Sequence, residues 1–326
     1  MRFSVILGNL GNTRDRFCDS YKQQPTKREQ WARAAAIVGV AGIELVGTWD
    51  ITESSVGEVK GLLAEHRLRL ASIIPDHFTS ARFGLGAFTS RDPAVRREAV
   101  AHTTAMMDAC AELGGDLINL WPGQDGFDYP LQADHVQQRD WLVEGITRAA
   151  AHRRDVRLAL EYKPKEPRCF SFLARAADTL LVALDTGAAN VGVTIDTGHS
   201  LMGGENLAAS ACLLASKGRL FHLHWNDNYR SWDDDLIVGS VHLPEYLELL
   251  HWLPRLGYNG WYSMDQYPYR EDGQAALNAS IRWLDGMARR QEAFGQDRFA
   301  ALTTSGEAVR IADTMREFLG LDGAMR

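Results

Sequence analysis

The amino-acid sequence predicts an α/β chain folded as a (β/α)8 barrel with a C-terminal helical extension. Three observations carry this expectation. Eight short, apolar, β-branched runs recur between residues 3 and 264. Longer stretches of helical periodicity separate them, the pattern of parallel strands joined by crossover helices. The length of 326 residues would suit about two domains, but a barrel of this type spends about 250 residues on one.

In chain order the expected strands are Phe3–Leu7, Ile43–Val46, Leu70–Ile74, Leu117–Leu120, Leu158–Glu161, Val191–Ile195, Leu220–His224 and Trp261–Met264. Each is followed by an amphipathic segment. After the third, Thr89-Ser90-Arg91-Asp92-Pro93 reads as a helix start, with Ser90 or Asp92 as cap and Pro93 in an early helical position. From about Glu292 the pattern turns to charged helical segments, Gln291–Ala300 and Glu307–Leu319, with no strand. Residues 1–290 are therefore expected to form the barrel and residues 291–326 a helical tail. That tail would pack on the barrel or on a partner subunit in a homodimer or homotetramer.

Composition narrows the function classes. With 45% hydrophobic and 24% charged residues and a mean hydropathy of -0.24, the chain reads as an ordinary globular protein. A net charge of -7 and a pI near 5.8 offer phosphate backbones and anionic membranes no electrostatic footprint. The four cysteines, Cys18, Cys110, Cys169 and Cys212, form no Cys-x-x-Cys pair, so neither a disulfide framework nor a thiolate zinc site is expected. The N-terminal apolar stretch is too short for a signal-peptide core, and no run approaches about 18 apolar residues. A cytoplasmic location is the resulting expectation.

The acids and histidines fall at strand ends. Glu161 closes the fifth run and Asp196 the sixth, His222 and His224 alternate on the seventh, and Asp265 follows the eighth. Alternation puts both histidines on the side facing into the barrel. Glu161, Asp196, His224 and Asp265 converging on one point would repel one another unless a cation sat among them. Mostly oxygen ligands with one nitrogen suit Mg, Mn or Co. The competing structural role, each acid capping a helix or pairing with an arginine, explains one such residue more readily than four.

A second group extends the site. His199 stands in Asp196-Thr-Gly-His, where the glycine is expected to let the loop turn back, and Asp233 and Asp235 lie on the loop after His224. Asp196 would bridge two ions, with His199, Asp233 and Asp235 completing the second; the alternative is a solvated acidic loop. Lys163 shares the inward side with Glu161, a costly place for a cation unless it meets a negatively charged oxygen. It would contact a substrate carbonyl or enolate oxygen, or else form a salt bridge to Glu161 or Glu166. Trp121 and Phe83 would supply flat apolar walls.

These residues resemble the xylose isomerase family of TIM barrels. Residues 161–168, Glu-Tyr-Lys-Pro-Lys-Glu-Pro-Arg, are similar to its Glu-Pro-Lys-Pro-x-Glu-Pro-Arg motif. Residues 88–92 are similar to its Phe-Thr-Ser-x-Asp helix start, residues 121–126 to its Trp-Gly-Gly-Arg-Glu-Gly segment, and residues 232–236 to its Tyr-Asp-Gln-Asp-Leu metal loop. The likeness spans most of residues 1–290. It implies a structural metal on Glu161, Asp196, His224 and Asp265, and a catalytic metal on Asp196, His199, Asp233 and Asp235. Lys163, His199 and Asp233 would carry the chemistry, with Lys163 on the sugar's O1. Trp121 and Phe83 would shield the path of the hydride.

The sequence also departs from that family. His224 stands where xylose isomerase has an aspartate, and Asp196 replaces a glutamate, so the ligand set looks more like that of L-rhamnose isomerase. His224 followed six residues later by Arg230 resembles the ketose 3-epimerases. Pro75 takes the place of the ring-opening histidine, leaving Asp76 or His77 to substitute.

The implied reaction is aldose–ketose isomerisation of an unphosphorylated sugar by a 1,2-hydride shift, with two divalent ions on the sugar oxygens. Trp121, Phe83, Arg230 and His77 are the expected substrate contacts. Alternatives are a one-metal ketose 3-epimerase, a barrel enzyme that cleaves sugar–aglycone bonds through a 3-keto intermediate, and a non-catalytic metal-dependent binding subunit. An apurinic-site endonuclease is disfavoured by the acidic charge balance.

Overall fold

A computed structural model describes residues 1–12, 18–166 and 169–321. Eight parallel strands close into a barrel: β1 (Arg2–Ile6), β2 (Val40–Val46), β3 (Arg69–Ile74), β4 (Leu117–Leu120), β5 (Arg157–Glu161), β6 (Val191–Asp196), β7 (Leu220–Trp225) and β8 (Trp261–Met264). Ser4 of β1 pairs with Gly42 of β2 on one side and Ser263 of β8 on the other, which closes the cylinder. All eight expected runs lie on these strands, except that Leu7 of the first opens a short 3-10 helix beyond β1.

The helices between strands are α1 (Lys27–Ala35), α2 (Val56–His66), α3 (Pro93–Glu112), α4 (His135–His152), α5 (Ala176–Asp185), α6 (Leu207–Ser216), α7 (Leu243–Arg255) and α8 (Gly273–Phe294). A short helix, Thr197–Met202, follows β6 without a break. Of the two candidate caps for α3, Asp92 takes the position: it accepts from the Ala94 amide at 2.8 Å, with Pro93 at the first turn.

Alternation along the strands sorts the barrel interior into layers. The middle layer is polar and fully buried, with Ser4, Glu44, Ser72, Asn119, Thr194, His222 and Ser263 all at 0% exposure. Hydrogen bonds link several of these groups across the barrel, such as Thr194 Oγ1 donating to Asn119 Oδ1 at 2.6 Å, while the Ser4 and Ser263 hydroxyls have no partner among the described residues. Those bonds satisfy Asn119, Thr194, Ser72 and Glu44, which burial would otherwise penalise. The layer above it is split: Ile6, Val46 and Ile74 form a small apolar cluster at the ends of β1 to β3, while acids and His224 end β5 to β8. Outward-facing residues pack on the helices, as where Trp225 stacks on Tyr262 at 5.5 Å and leans on Tyr246 of α7 at 5.9 Å.

Helix α8 runs through residue 290 to Phe294 and breaks at Gly295, whose φ is 108°. Two further helices, α9 (Gln296–Ser305) and α10 (Ala308–Phe318), fold back. Phe318 meets Phe294 and Phe299 edge-on at 5.4 and 5.7 Å, and Phe299 reaches His251 of α7 at 5.9 Å. The tail thus packs on the outer helices.

Candidate functional site

The C-terminal ends of the strands open into a cavity of about 260 Å³. Glu161, Lys163, His199, Asp233, Asp235 and Asp265 line one wall, and Ile6, Val46, Ile74, Trp49 and Phe78 face them. Trp121, Tyr267 and Tyr269 complete the lining. A second opening of about 490 Å³ lies at the other end of the barrel, but its single acid, Asp116, is already paired with Arg157 at 3.0 Å.

The fold brings Glu161, Asp196, His224 and Asp265 together, with one ligand-type atom from each lying within 4.8 Å of the others. His224 Nδ1 is 3.0 Å from Asp265 Oδ2 and 3.4 Å from Glu161 Oε1. Asp196, His199 and Asp233 form a second group by the same measure, so Asp196 belongs to both. Asp235 lines the cavity but stands outside that second group.

Neutral amides fix these acids from behind. Asn119 Nδ2 donates to Glu161 Oε2 at 2.6 Å, and Asn226 Nδ2 donates to Asp196 Oδ2 at 2.8 Å. Asp196 also caps the short helix, accepting from the His199 amide at 2.8 Å. The capping role and the ligand-type placement coexist in one carboxylate. His199 is held by its Nδ1 against the Tyr162 carbonyl at 3.0 Å and by Nε2 against Asp233 at 3.1 Å.

Gly198 serves a different purpose from the one its sequence context suggests. It lies inside the helix Thr197–Met202 with no left-handed φ. A Cβ there would fall 1.9 Å from Asn226 Oδ1. The missing side chain makes room for the amide that orients Asp196.

Crowding shows in the protonation of these groups. Burial raises the Asp196 carboxyl and His199 opposes it, but Asp233, Asp265 and Glu161 add to the rise and it reaches about 7. Burial, then Asp233 and Asp265, push Asp235 well up. Burial would lift Glu161 and Asp233 as well. Imidazolium and ammonium neighbours outweigh it, His224 first for Glu161 and Lys163 first for Asp233, and hold both far below the usual range. Burial would lower His224 and His199, but the acids around them, led by Glu44 and by Asp196 respectively, raise both well above an ordinary histidine. Protons thus do the charge balancing that a cation would do.

Lys163 remains charged, since Asp233 and Glu166 overcome its burial. Its Nζ pairs with Glu166 and with Asp233, the latter at 2.9 Å, and sits 5.2 Å from the Trp121 ring centroid. Of the two salt bridges open to it from sequence, Glu166 is formed and Glu161 is not; Asp233 takes that second place.

Three of the expected substrate contacts lie elsewhere. Phe83 is buried against the His77 ring at 5.4 Å, and Arg82 of its turn, Ala81–Phe83, pairs with Glu98 of α3 at 3.0 Å. His77 is fully buried, with Nε2 on the Ala99 carbonyl at 3.2 Å, and burial lowers its pKa to about 3. Arg230 pairs with Glu245 at 2.8 Å and donates to His242 at 3.0 Å, on an exposed loop. Asp76 is engaged by Thr48, Trp49 and Thr79. Pro167 and Arg168, the end of the 161–168 motif, lie outside the described residues.

Sequence reasoning missed Glu44, Asn119, Asn226, Trp49, Phe78 and Tyr267. Only Glu44 gave a signal, a charge between Ile43 and Leu45 in an apolar strand. Glu44 accepts from His222 Nε2 at 2.8 Å and His224 Nε2 at 3.2 Å.

Residues 31–287 match the family described as xylose isomerase-like TIM barrel. The chain is 31% identical over 316 residues to a xylose isomerase of Thermus thermophilus, covering 91% of this chain and 81% of that protein. It is 28% identical over 315 residues to a xylose isomerase of Thermus caldophilus, with the same coverage of both. In fold it is similar to a D-tagatose 3-epimerase-like protein, with TM-score 0.69, 18% identity and coverage of 89% and 99%. The 3-keto-D-glucoside 4-epimerase of E. coli gives TM-score 0.67, 19% identity and coverage of 87% and 100%.

Proposed function

The chain belongs to the xylose isomerase-like TIM-barrel family, and from that premise we propose that it is a divalent-metal-dependent aldose–ketose isomerase acting on an unphosphorylated sugar by a 1,2-hydride shift. The observation that carries this reading is the pair of acid–histidine groups sharing Asp196 beneath a cavity whose opposite wall is apolar. The residues fit metal ions: His224 Nδ1, Asp233 Oδ1 and Asp265 Oδ1, on members of these groups, are buried and without hydrogen-bond partners. Glu161, Asp196, His224 and Asp265 would hold one ion and Asp196, His199 and Asp233, with Asp235 nearby, a second. When bound, Mn, Mg or Co would polarise the sugar's carbonyl and hydroxyl oxygens.

The chain's own residues then have defined tasks. Lys163, freed from Asp233 when that carboxylate turns to a cation, would donate a hydrogen bond to O1 and steady its charge. Trp121, Trp49 and Phe78 exclude water from the migrating hydrogen, which would otherwise favour proton exchange. Ile6, Val46 and Ile74 present neither acid nor base, and the carboxylates, Lys163 and His199 line the wall opposite them. Lys163 is the only lysine or arginine among the described residues that line the cavity, which favours a neutral sugar over a sugar phosphate. With His77 buried and Asp76 engaged by its neighbours, pyranose opening would be slow, and open or weakly cyclised sugars would be the better substrates.

The second reading is a one-metal ketose 3-epimerase in which Glu161 and Asp265 exchange the proton. The Lys163–Asp233 pair favours it, since that pair occupies a ligand of the second group. Deuterium at C2 of the aldose separates the two. The isomerase keeps the label at C1 of the product ketose, whereas an epimerase shows no aldose–ketose conversion and, given a ketose deuterated at C3, loses that label to water.

A further inference from the structure

We propose that Glu44 is a positioning residue for the metal centre: from mid-barrel it grips His224 by Nε2, which turns His224 Nδ1 toward Glu161 and Asp265 as a ligand. This rests on the metal-dependent reading above. Glu44 lies on β2, across the barrel from β7, with no exposed surface. Its Oε2 accepts from His224 Nε2 at 3.2 Å, its Oε1 from His222 Nε2 at 2.8 Å, and Ser72 Oγ donates to it as well.

An ionised carboxylate in a barrel core is costly, and an apolar side chain would fill the same space more cheaply. The two imidazoles it holds are not equivalent. His222 Nδ1 has no partner in the barrel interior, while His224 Nδ1 has none but sits 3.0 Å from Asp265 and 3.4 Å from Glu161. A carboxylate accepts from both Nε2–H groups and so fixes both rings with the same nitrogen protonated. A metal-bound histidine needs its free nitrogen presented to the ion and its other N–H anchored, and such an anchor is worth about 10- to 100-fold in metal affinity. Although Glu44, His222 and His224 are close enough to hold an ion themselves, both Nε2 atoms are already at hydrogen-bonding distance from the carboxylate.

Glutamine at this position offers one acceptor and one donor. One imidazole then has to flip its tautomer and carry a proton on Nδ1. The test is calorimetric titration of Mn²⁺ into the full chain, Glu44→Gln and Glu44→Asp, alongside their thermal midpoints without metal. Glu44→Gln is expected to bind Mn²⁺ about 10- to 100-fold more weakly and Glu44→Asp to fall between, with the metal-free midpoints little changed. A folded Glu44→Gln that binds Mn²⁺ as tightly as wild type overturns the proposal. Should the glutamine variant not fold, long-range ¹H–¹⁵N spectra of wild type loaded with Mg²⁺ decide: Nε2–H on His224 supports the proposal and Nδ1–H overturns it. Wild type that takes up no Mn²⁺ overturns instead the metal-dependent reading beneath it.

Discussion

Asp50 sits in the turn after β2 that carries Trp49 to the cavity rim. Its Oδ2 accepts from the Val46 amide at 2.9 Å, yet burial pushes its carboxyl up to about 6, against the Val46 bond and Lys27, which act to lower it. The folded chain therefore binds this proton more tightly than the unfolded chain. Stability from Asp50 is full below the unfolded pKa near 4 and lost as pH rises through about 6, a change of roughly 3 kcal/mol. Asp50→Asn keeps the acceptor and removes the charge. Denaturant unfolding at pH 4 and pH 7 is expected to show a loss in wild type that the variant lacks by about that amount; equal losses would rule the account out. Residues of this kind were hard to read from sequence. Nothing near Phe83, His77 or Arg230 told which way their side chains turn, and each found a closer partner than the cavity: His77 for Phe83, Ala99 for His77 and Glu245 for Arg230.

At the scale of elements, the junction of β6 and the short helix Thr197–Met202 shapes the site most directly. Alanine at 198 would favour the helix by roughly 0.8–1 kcal/mol on intrinsic propensity, but its Cβ would drive Asn226 off Asp196. Gly198→Ala is expected to weaken divalent-ion binding tenfold or more while the metal-free thermal midpoint moves little; unchanged Mn²⁺ affinity would show that Asn226 does not orient Asp196. The strand ends themselves were legible, because Glu161, Asp196 and Asp265 each terminate an apolar run and strand alternation sets which side faces in. The role of Gly198 was not. A glycine after an acid suggests a turn, and only the approach of β7 supplies the asparagine that needs its space.

For the whole molecule, the protons held by Asp196, His199 and His224 would compete with a cation at the proposed metal sites. Asp196 is raised to about 7, and both histidines are raised by the surrounding acids. Metal uptake is therefore expected to release protons, and stabilisation by Mn²⁺ to be slight at pH 5 and to grow as pH passes 7. At about 100-fold excess over the dissociation constant a bound ion contributes about 2.7 kcal/mol, a shift of a few °C for a chain of this size. Thermal midpoints with Mn²⁺ and with a chelator across pH 5–8 measure this; a gap that is constant or shrinks with pH would be inconsistent with it.

Hydrophobic periodicity alone determined the barrel and its strand ends, and strand alternation placed three carboxylates and His224 on the same inner face. Both periods are local properties of the chain, so no distant residue is needed to read them. Only closure of the cylinder decided the rest. It brought Glu44 of β2 within 3.2 Å of His224 on β7, 180 positions away in the chain, set Lys163 on Asp233, and stood an apolar wall opposite the acids. Such contacts depend on register and packing across the barrel, which one strand's pattern does not encode.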